Sequence, residues 1–163
     1  MDVSTPVSKH LSLLKINHRL YQHPGPIHSL EQAAQERGQR LEQVVRSIVF
    51  RIGQGEYVMV LISGPEQVSW PALRIYLGKS RLTMATPDEV REATGYETGA
   101  VSPFGLPGPM RILIDEALLT QEEISIGSGV RGVTVILQRN DLLAGLPEAE
   151  IGKFSSSQPG NDR

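Results

Sequence analysis

The sequence predicts an α/β domain of the α+β kind, one curved, mixed β-sheet, barrel-like in its bending and surrounded by helices. Three observations predict it. Two β-branched runs, residues 44–52 and 56–62, flank Gly53-Gln54-Gly55, the composition of a hairpin of central strands. Helical and extended patterns alternate irregularly, without repeated strand–helix–strand units. No glycine-rich phosphate loop of the P-loop or dinucleotide kind marks a doubly wound sheet. At 163 residues with 39% hydrophobic content, the chain suits a single core.

In chain order, Val7, Leu11 and Leu14 recur at helical spacing after Ser4 and Thr5, two candidate caps, so residues 6–16 read as a first helix packed on the main body. Residues 18–23 alternate like a strand, and His23-Pro24-Gly25-Pro26 stops it because neither proline can donate to a ladder. Ser29 opens a helix with capping-box spacing to Gln32, with Leu30, Ala33 and Ala34 inward and Gly38 as terminator. Beyond the central hairpin, residues 69–77 read as a helix with Pro71 near its start and Gly78 at its end, and residues 81–85 as a short strand. Thr86-Pro87-Asp88-Glu89 begins another helix: threonine caps, proline takes the first helical position, and two carboxylates suit the positive end of the dipole. It runs to Thr94, before Gly95.

Residues 95–109 hold four glycines and three prolines, a structured loop too long for a hairpin turn. Residues 110–114, 122–127 and 132–138 follow as strands, and Asn140 caps a last short helix through Leu143. After Gly152 the composition turns polar and turn-rich. The expected organisation is an N-terminal helical extension at 1–17, a domain at 18–152 and a mobile tail at 153–163.

A formal net charge of −2 and a pI of 6.1 exclude a global positive field, so any contact with nucleic acid must be local. Twelve of the sixteen basic residues are arginine, whose planar fork suits phosphate. The absence of cysteine removes disulfides, thiolate nucleophiles and cysteine-based metal sites, and fits a reducing compartment. No apolar run approaches the ~20 residues that span a bilayer, and the first residues lack a signal-type apolar core. A cytoplasmic protein without membrane association is expected. His10, His18, His23 and His28 place no pair on one helical turn, so they read as structural or solvent-facing, and neither a metal nor a cofactor is expected. The run Gly99-Ala100-Val101-Ser102-Pro103 sets a residue free to adopt positive φ ahead of a rigid proline, leaving main-chain N–H groups able to face a carbonyl or phosphate oxygen. By itself such a loop is equally a plain connection.

Taken together, these segments resemble the YbaK/ProX family of aminoacyl-tRNA deacylases and the related editing insertion of bacterial prolyl-tRNA synthetases. The resemblance covers roughly residues 18–146. It runs through Tyr21 with His23-Pro24, the helix after Ser29, the strand from Val44, Leu77-Gly78-Lys79-Ser80-Arg81-Leu82, Thr86-Pro87-Asp88-Glu89-Val90, Gly95-Tyr96, Gly99 to Gly105, and Ile126-Gly127-Ser128-Gly129 with Gly132. It implies hydrolysis of the ester joining a small amino acid to the terminal ribose of transfer RNA, the prolyl species being the family's commonest target. The partners implied are the 3′ end of aminoacyl-tRNA and, further, an aminoacyl-tRNA synthetase. A size-limited second site makes physical sense, because a synthetase pocket gains only ~1–3 kcal/mol per methylene.

The resemblance assigns catalytic roles to Arg46 and to the turn at Gly99, Ala100 and Ser102. It assigns substrate contacts to Tyr21, Val101, Pro103, Phe104, Gly127, Ser128, Gly129 and Thr134, and RNA contacts to Lys79 and Arg81. Two departures stand out. Arg46 occupies the family's lysine position, and its planar head does not sit where an ammonium sits. Thr134 stands where YbaK-branch relatives tend to carry an acidic residue, and a hydroxyl can bond substrate but cannot serve as a carboxylate base. An alternative function is therefore a catalytically weakened module that binds aminoacyl-tRNA or a nucleotide-like ligand. Simpler roles stay open as well: Tyr21 as core, Ser102 and Ser128 as fasteners of their own loops, Lys79 and Arg81 as solvated charges.

Overall fold

The computed structural model describes residues 4–156. Its helices are α1 (Pro6–Leu13), α2 (Leu30–Arg37), α3 (Trp70–Leu77), α4 (Pro87–Thr94) and α5 (Arg139–Gly145). Its strands are β1 (Arg19–Gln22), β2 (Val45–Gly53), β3 (Glu56–Ser63), β4 (Gln67–Val68), β5 (Thr83–Met84), β6 (Arg111–Asp115), β7 (Glu123–Gly127), β8 (Val133–Gln138), β9 (Glu150–Gly152) and β10 (Ser155–Ser156).

Local chemistry sets most helix ends. The hydroxyls of Thr5, Ser29, Ser69 and Thr86 accept from the first free N–H groups of α1 to α4, while Gly38, Gly78 and Gly95 end α2, α3 and α4 in the left-handed conformation. The box at Thr86 is reciprocal, with Glu89 accepting from the Thr86 N–H at 2.9 Å. At Ser29 it is displaced by one residue: Gln32 Oε1 accepts from His28 N–H at 2.8 Å. Helix α5 starts earlier than expected. Its cap position is Gln138, which makes no side-chain capping bond, and Asn140 lies inside the helix.

The mixed sheet has the order β5-β2-β3-β6-β9, with β2–β3 antiparallel and β3–β6–β9 parallel. A separate antiparallel sheet has the order β1-β8-β7. The two touch through a parallel bridge between Val44 and Ser125, so the expected barrel-like curvature does not close into a barrel. Strand β3 shows why the central hairpin is so apolar. Met59 and Leu61 face one core, shared with the three-stranded sheet, α1, α4 and α5, whereas Val58, Val60 and Ile62 face a second core under α3. A strand covered on both faces loses the alternation of a half-exposed one.

At the first chain end Val7 and Leu11 are fully buried in the first core, so α1 packs on the main body as its apolar spacing predicts. At the other end, Phe154 is buried in the second core and β10 pairs with β4, so residues 153–156 are packed. The buried Asp115 carboxylate holds this segment, accepting from Phe154 N–H at 2.7 Å and Ser155 Oγ–H at 2.8 Å. The rest of the expected tail lies outside the described residues. Among the described residues no helix is long and apolar enough to cross a membrane.

Candidate functional site

A cavity of about 1120 Å³ opens where the start of β2, the three-stranded sheet, α2 with the segment before it, and the 95–109 loop meet. Its walls are apolar at Val44, Val45, Val101, Ile126 and Val133. Three arginines, Arg37, Arg46 and Arg131, line it, and among the described residues no Asp or Glu does. In a chain of net charge −2 this is a local concentration of positive charge, where an anionic ligand is favoured.

Arg46 lines the cavity, yet its head is committed. Along β2, Val45 and Val49 face the first core while Ile48 and Phe50 face the second, so a period of two puts Arg46 on the second face. Its Nε donates to Gly64 O at 3.0 Å and its Nη2 to Glu66 O, both in the turn after β3. Burial lowers its pKa from the ordinary arginine value. The neighbouring Ser47 lines the cavity too, with a buried Oγ that has no partner among the described residues.

The second cation, Arg37, is one that sequence reasoning missed. From the last turn of α2 it reaches across the strands: Nη1 donates to His23 Nε2 at 2.9 Å and Thr134 Oγ1 at 3.2 Å, Nη2 to Ser125 Oγ at 3.0 Å, and Nε to Gln39 Oε1 at 3.2 Å. A guanidinium can only donate, so His23 Nε2 accepts and the ring proton sits on Nδ1, which donates to Glu36 Oε1 at 2.6 Å. Hydrogen bonds from Gln32 and then His23 hold the Glu36 carboxyl below its ordinary range, and burial lowers the pKa of Arg37. His23 is buried and lines the cavity, contrary to the solvent-facing alternative.

The 95–109 loop presents main chain to the same hollow. Gly99 has φ +93 and lines the cavity with Val101. Ala100 spends both its polar groups, its N–H on Glu97 O and its C=O on Gly129 N–H. The N–H groups of Gly99, Val101 and Ser102 have no partner among the described residues. Gly127 makes the approach possible, since a Cβ there would lie 2.1 Å from Val101 O. Arg131 fastens the mouth, Nε donating to Thr98 O at 3.0 Å while the residue stays exposed.

Of the residues assigned by resemblance, the cavity therefore gathers Arg46, Gly99, Val101, Gly127 and Thr134. The others stand apart from its lining. Tyr21 lies behind His23, its ring edge-on at 4.8 Å and its hydroxyl on Glu36 O. Ala100, Pro103 and Phe104 are buried, Phe104 in the first core. Ser102 Oγ caps Phe104 N–H, and Ser128 Oγ bonds Val130 and Val133, so both fasten their own loops. Gly129 packs against Tyr96, where a Cβ would meet the ring at 2.9 Å. Lys79 and Arg81 are exposed in the connection between α3 and β5. Gln22, Arg37, Ser125 and Arg131 are lining residues that sequence reasoning did not single out; Ser125, a lone hydroxyl between Ile124 and Ile126, was the one visible signal. Among the described residues no three His, Asp or Glu side chains gather as metal ligands.

The fold matches a known class. The model of the aminoacyl-tRNA editing domain matches residues 24–144, and the chain belongs to that family. It is 24% identical over 147 residues to the prolyl-tRNA editing protein ProX of Acetoanaerobium sticklandii, covering 87% of this chain and 89% of that protein. It is 30% identical over 105 residues to the proline–tRNA ligase of Thermosipho melanesiensis, covering 64% of this chain but only 18% of the ligase. Among solved structures, one proposed to be a trans-editing enzyme for prolyl tRNA synthetase superposes with a TM-score of 0.84 at 28% identity, over 93% of this chain and 95% of the other.

Proposed function

We propose that this chain is a trans-editing deacylase, hydrolysing the ester between a small amino acid and the terminal ribose of a mischarged transfer RNA, the prolyl species foremost. The observation that carries the reading is one hollow lined, among the described residues, by three arginines, by no carboxylate, and by Gly99 and Val101, whose main-chain N–H groups have no partner there. The cationic lining suits the phosphodiester of an RNA 3′ end. The N–H pair suits the oxyanion that forms when water adds to the ester carbonyl. Collapse of that intermediate breaks the bond to the ribose oxygen, which takes up a proton from the attacking water and leaves as a hydroxyl. Among the described residues no carboxylate lines the cavity, and His23 Nε2 is occupied by Arg37, so the rate enhancement rests on positioning and charge. Family membership and the near-full-length likeness to ProX support the same reading. The relation to proline–tRNA ligases makes an aminoacyl-tRNA synthetase a candidate protein partner.

A second reading, binding without turnover, is favoured by the committed head of Arg46. A deacylation assay over a panel of mischarged transfer RNAs, run on the native protein and on Arg46→Lys, separates the two. Native hydrolysis of small aminoacyl esters is expected, with a loss in Arg46→Lys because an ammonium cannot hold both the Gly64 and Glu66 carbonyls in the same plane. No native rate above spontaneous hydrolysis, with a gain in Arg46→Lys, would establish a weakened enzyme instead.

A further inference from the structure

The head of Arg46 is held by a turn, and that turn is held from two sides. Nε donates to Gly64 O at 3.0 Å and Nη2 to Glu66 O. Gly64 is fixed by the approach to β2: its N–H donates to Val44 O at 2.7 Å, and the hydroxyl of the neighbouring Ser63 donates to Glu42 O. Glu66 stands directly before β4, whose partner is β10, with Ser156 opposite Gln67 and Ser155 opposite Val68. Phe154 is clamped beside that pair. Its C=O accepts from Ser69 N–H at 2.7 Å, its N–H donates to Asp115 Oδ1 at 2.7 Å, and its ring is buried in the second core with Val68 and Ile62. The Ser155 hydroxyl donates to the same carboxylate at 2.8 Å. Ile62 is in turn the β3 partner of Arg46. The two carbonyls that grip the guanidinium are thus placed by different parts of the chain, Gly64 by the residues before β2 and Glu66 by residues 153–156.

We infer that residues 153–156 form a positioning strap for Arg46: by holding β4 they hold the Glu66 carbonyl, and through it the plane of the guanidinium at the cavity. The inference rests on the deacylase reading for the ligand that Arg46 meets, and not for the link between strap and guanidinium. A planar fork bonded at both Nε and Nη2 is fixed in direction as well as in place, whereas one bonded at Nε alone turns more freely. With the strap loosened, Gly64 keeps the Nε bond while the Nη2 bond weakens. The charge then stays at the cavity without a fixed direction, and ordering it at each binding event costs affinity. Phe154 and Ser155 do not line the cavity, so they are positioning residues that act through Arg46.

The test is a double-mutant cycle with two readouts. The probe is adenosine 5′-monophosphate carrying an amide-linked 3′-alanyl group, inert to hydrolysis, with binding measured by calorimetry in the native protein, Phe154→Ala, Arg46→Met and the double variant. Phe154→Ala should weaken binding at least about fivefold in the native background and less than about twofold beside Arg46→Met, because residues in one network couple while independent ones add. Ser155→Ala keeps the core filled; it should show the same coupling at smaller size, and it decides the question if Phe154→Ala fails to fold. In nitrogen-15 spectra of the guanidinium, assigned by its loss in Arg46→Met, both strap variants should speed rotation about the Cζ–Nη2 bond while the Nε–H stays protected. A strap that served stability alone would lower the urea midpoint, weaken binding equally in both backgrounds and leave the guanidinium spectrum unchanged, and that result would overturn the inference. Hydrolysis of alanyl-tRNA, measured alongside, separates the two readings. Coupled binding and altered spectra without native hydrolysis would overturn the deacylase reading alone, as would failure of the native protein to bind the probe, with the spectra then deciding the strap. Native hydrolysis with additive effects and an unmoved spectrum would overturn the strap alone.

Discussion

Gly127 is the residue at which the site tolerates least change. It lies on β7 where the 99–101 turn presses against the strand, and the carbonyl of Val101 occupies the space a side chain would need. Gly127→Ala must push either the strand or the turn aside, and both are main chain, so the strain has no flexible side chain to absorb it. We expect a stability loss of about 1–3 kcal/mol, the range for overpacking a filled site. Deacylation should fall by about 10²-fold, because the N–H groups of Gly99 and Val101 move by the same ångström that the alanine needs. Urea denaturation and single-turnover hydrolysis check the two halves, and full activity in a folded Gly127→Ala protein would remove the turn from the chemistry. At this scale the sequence was a partial guide. The glycine run could be read because a residue type reveals a backbone need directly, whereas Thr134 came only from the family resemblance. Arg37 could not, since its meaning depends on Ser125 and Thr134, about ninety residues further along. Arg46 lines the cavity, but nothing in Val44-Val45-Arg46-Ser47 announces that the carbonyls of Gly64 and Glu66 will claim its head.

Among the elements, those defined by neighbours in sequence were legible and those defined by distant pairing were not. Helices α1 to α4 carry their stop and start signals within four residues, so caps and terminal glycines located them. Strands β4, β9 and β10 are two or three residues long and exist only because something far away pairs with them. Strand β9 is the instructive case. It edges the mixed sheet beside β6, and Glu150 ties it there: the carboxylate accepts from Arg111 Nε at 2.7 Å and Nη2 at 2.9 Å, and from the Tyr76 hydroxyl of α3 at 2.7 Å. Arg111 first and Tyr76 second hold the Glu150 carboxyl at about 2, below the ordinary 4.5. A carboxyl depressed in the folded state adds stability that is complete above its unfolded pKa and is lost as pH falls through the folded one. The contribution should therefore fade between about pH 4.5 and pH 2. Both partners are about a third or more exposed, which limits the effect to about 1 kcal/mol or less. Denaturation midpoints across that window should slope less steeply in Glu150→Gln than in the native protein. Identical slopes would mean that β9 is held by its ladder alone.

For the whole molecule, the distribution of charge decides how an RNA can be held. The chain carries a net charge of −2, so its far field repels a polyanion, and attraction begins only where the cavity collects Arg37, Arg46 and Arg131 without a carboxylate among them. Arg37 and Arg46 are partly buried and bonded within the protein, whereas Arg131 stands exposed at the mouth, its Nε on Thr98 O and its charge felt by Glu97. Lys79 and Arg81 are exposed between Leu77 and Leu82 of the second core and do not line the cavity. An acceptor end gripped at so few points should release few counterions, so binding of a single-stranded 3′ end should weaken with salt along a log–log slope of about −2 or shallower. Arg131→Ala should reduce that slope by about one unit, because the exposed cation makes the freest phosphate contact. Filter binding over a range of salt concentrations measures both. A slope steeper than about −5 would require contacts well beyond three arginines and would extend the bound RNA past the cavity. A slope near the expected value that does not respond to Arg131→Ala would place the phosphate deeper, against Arg37.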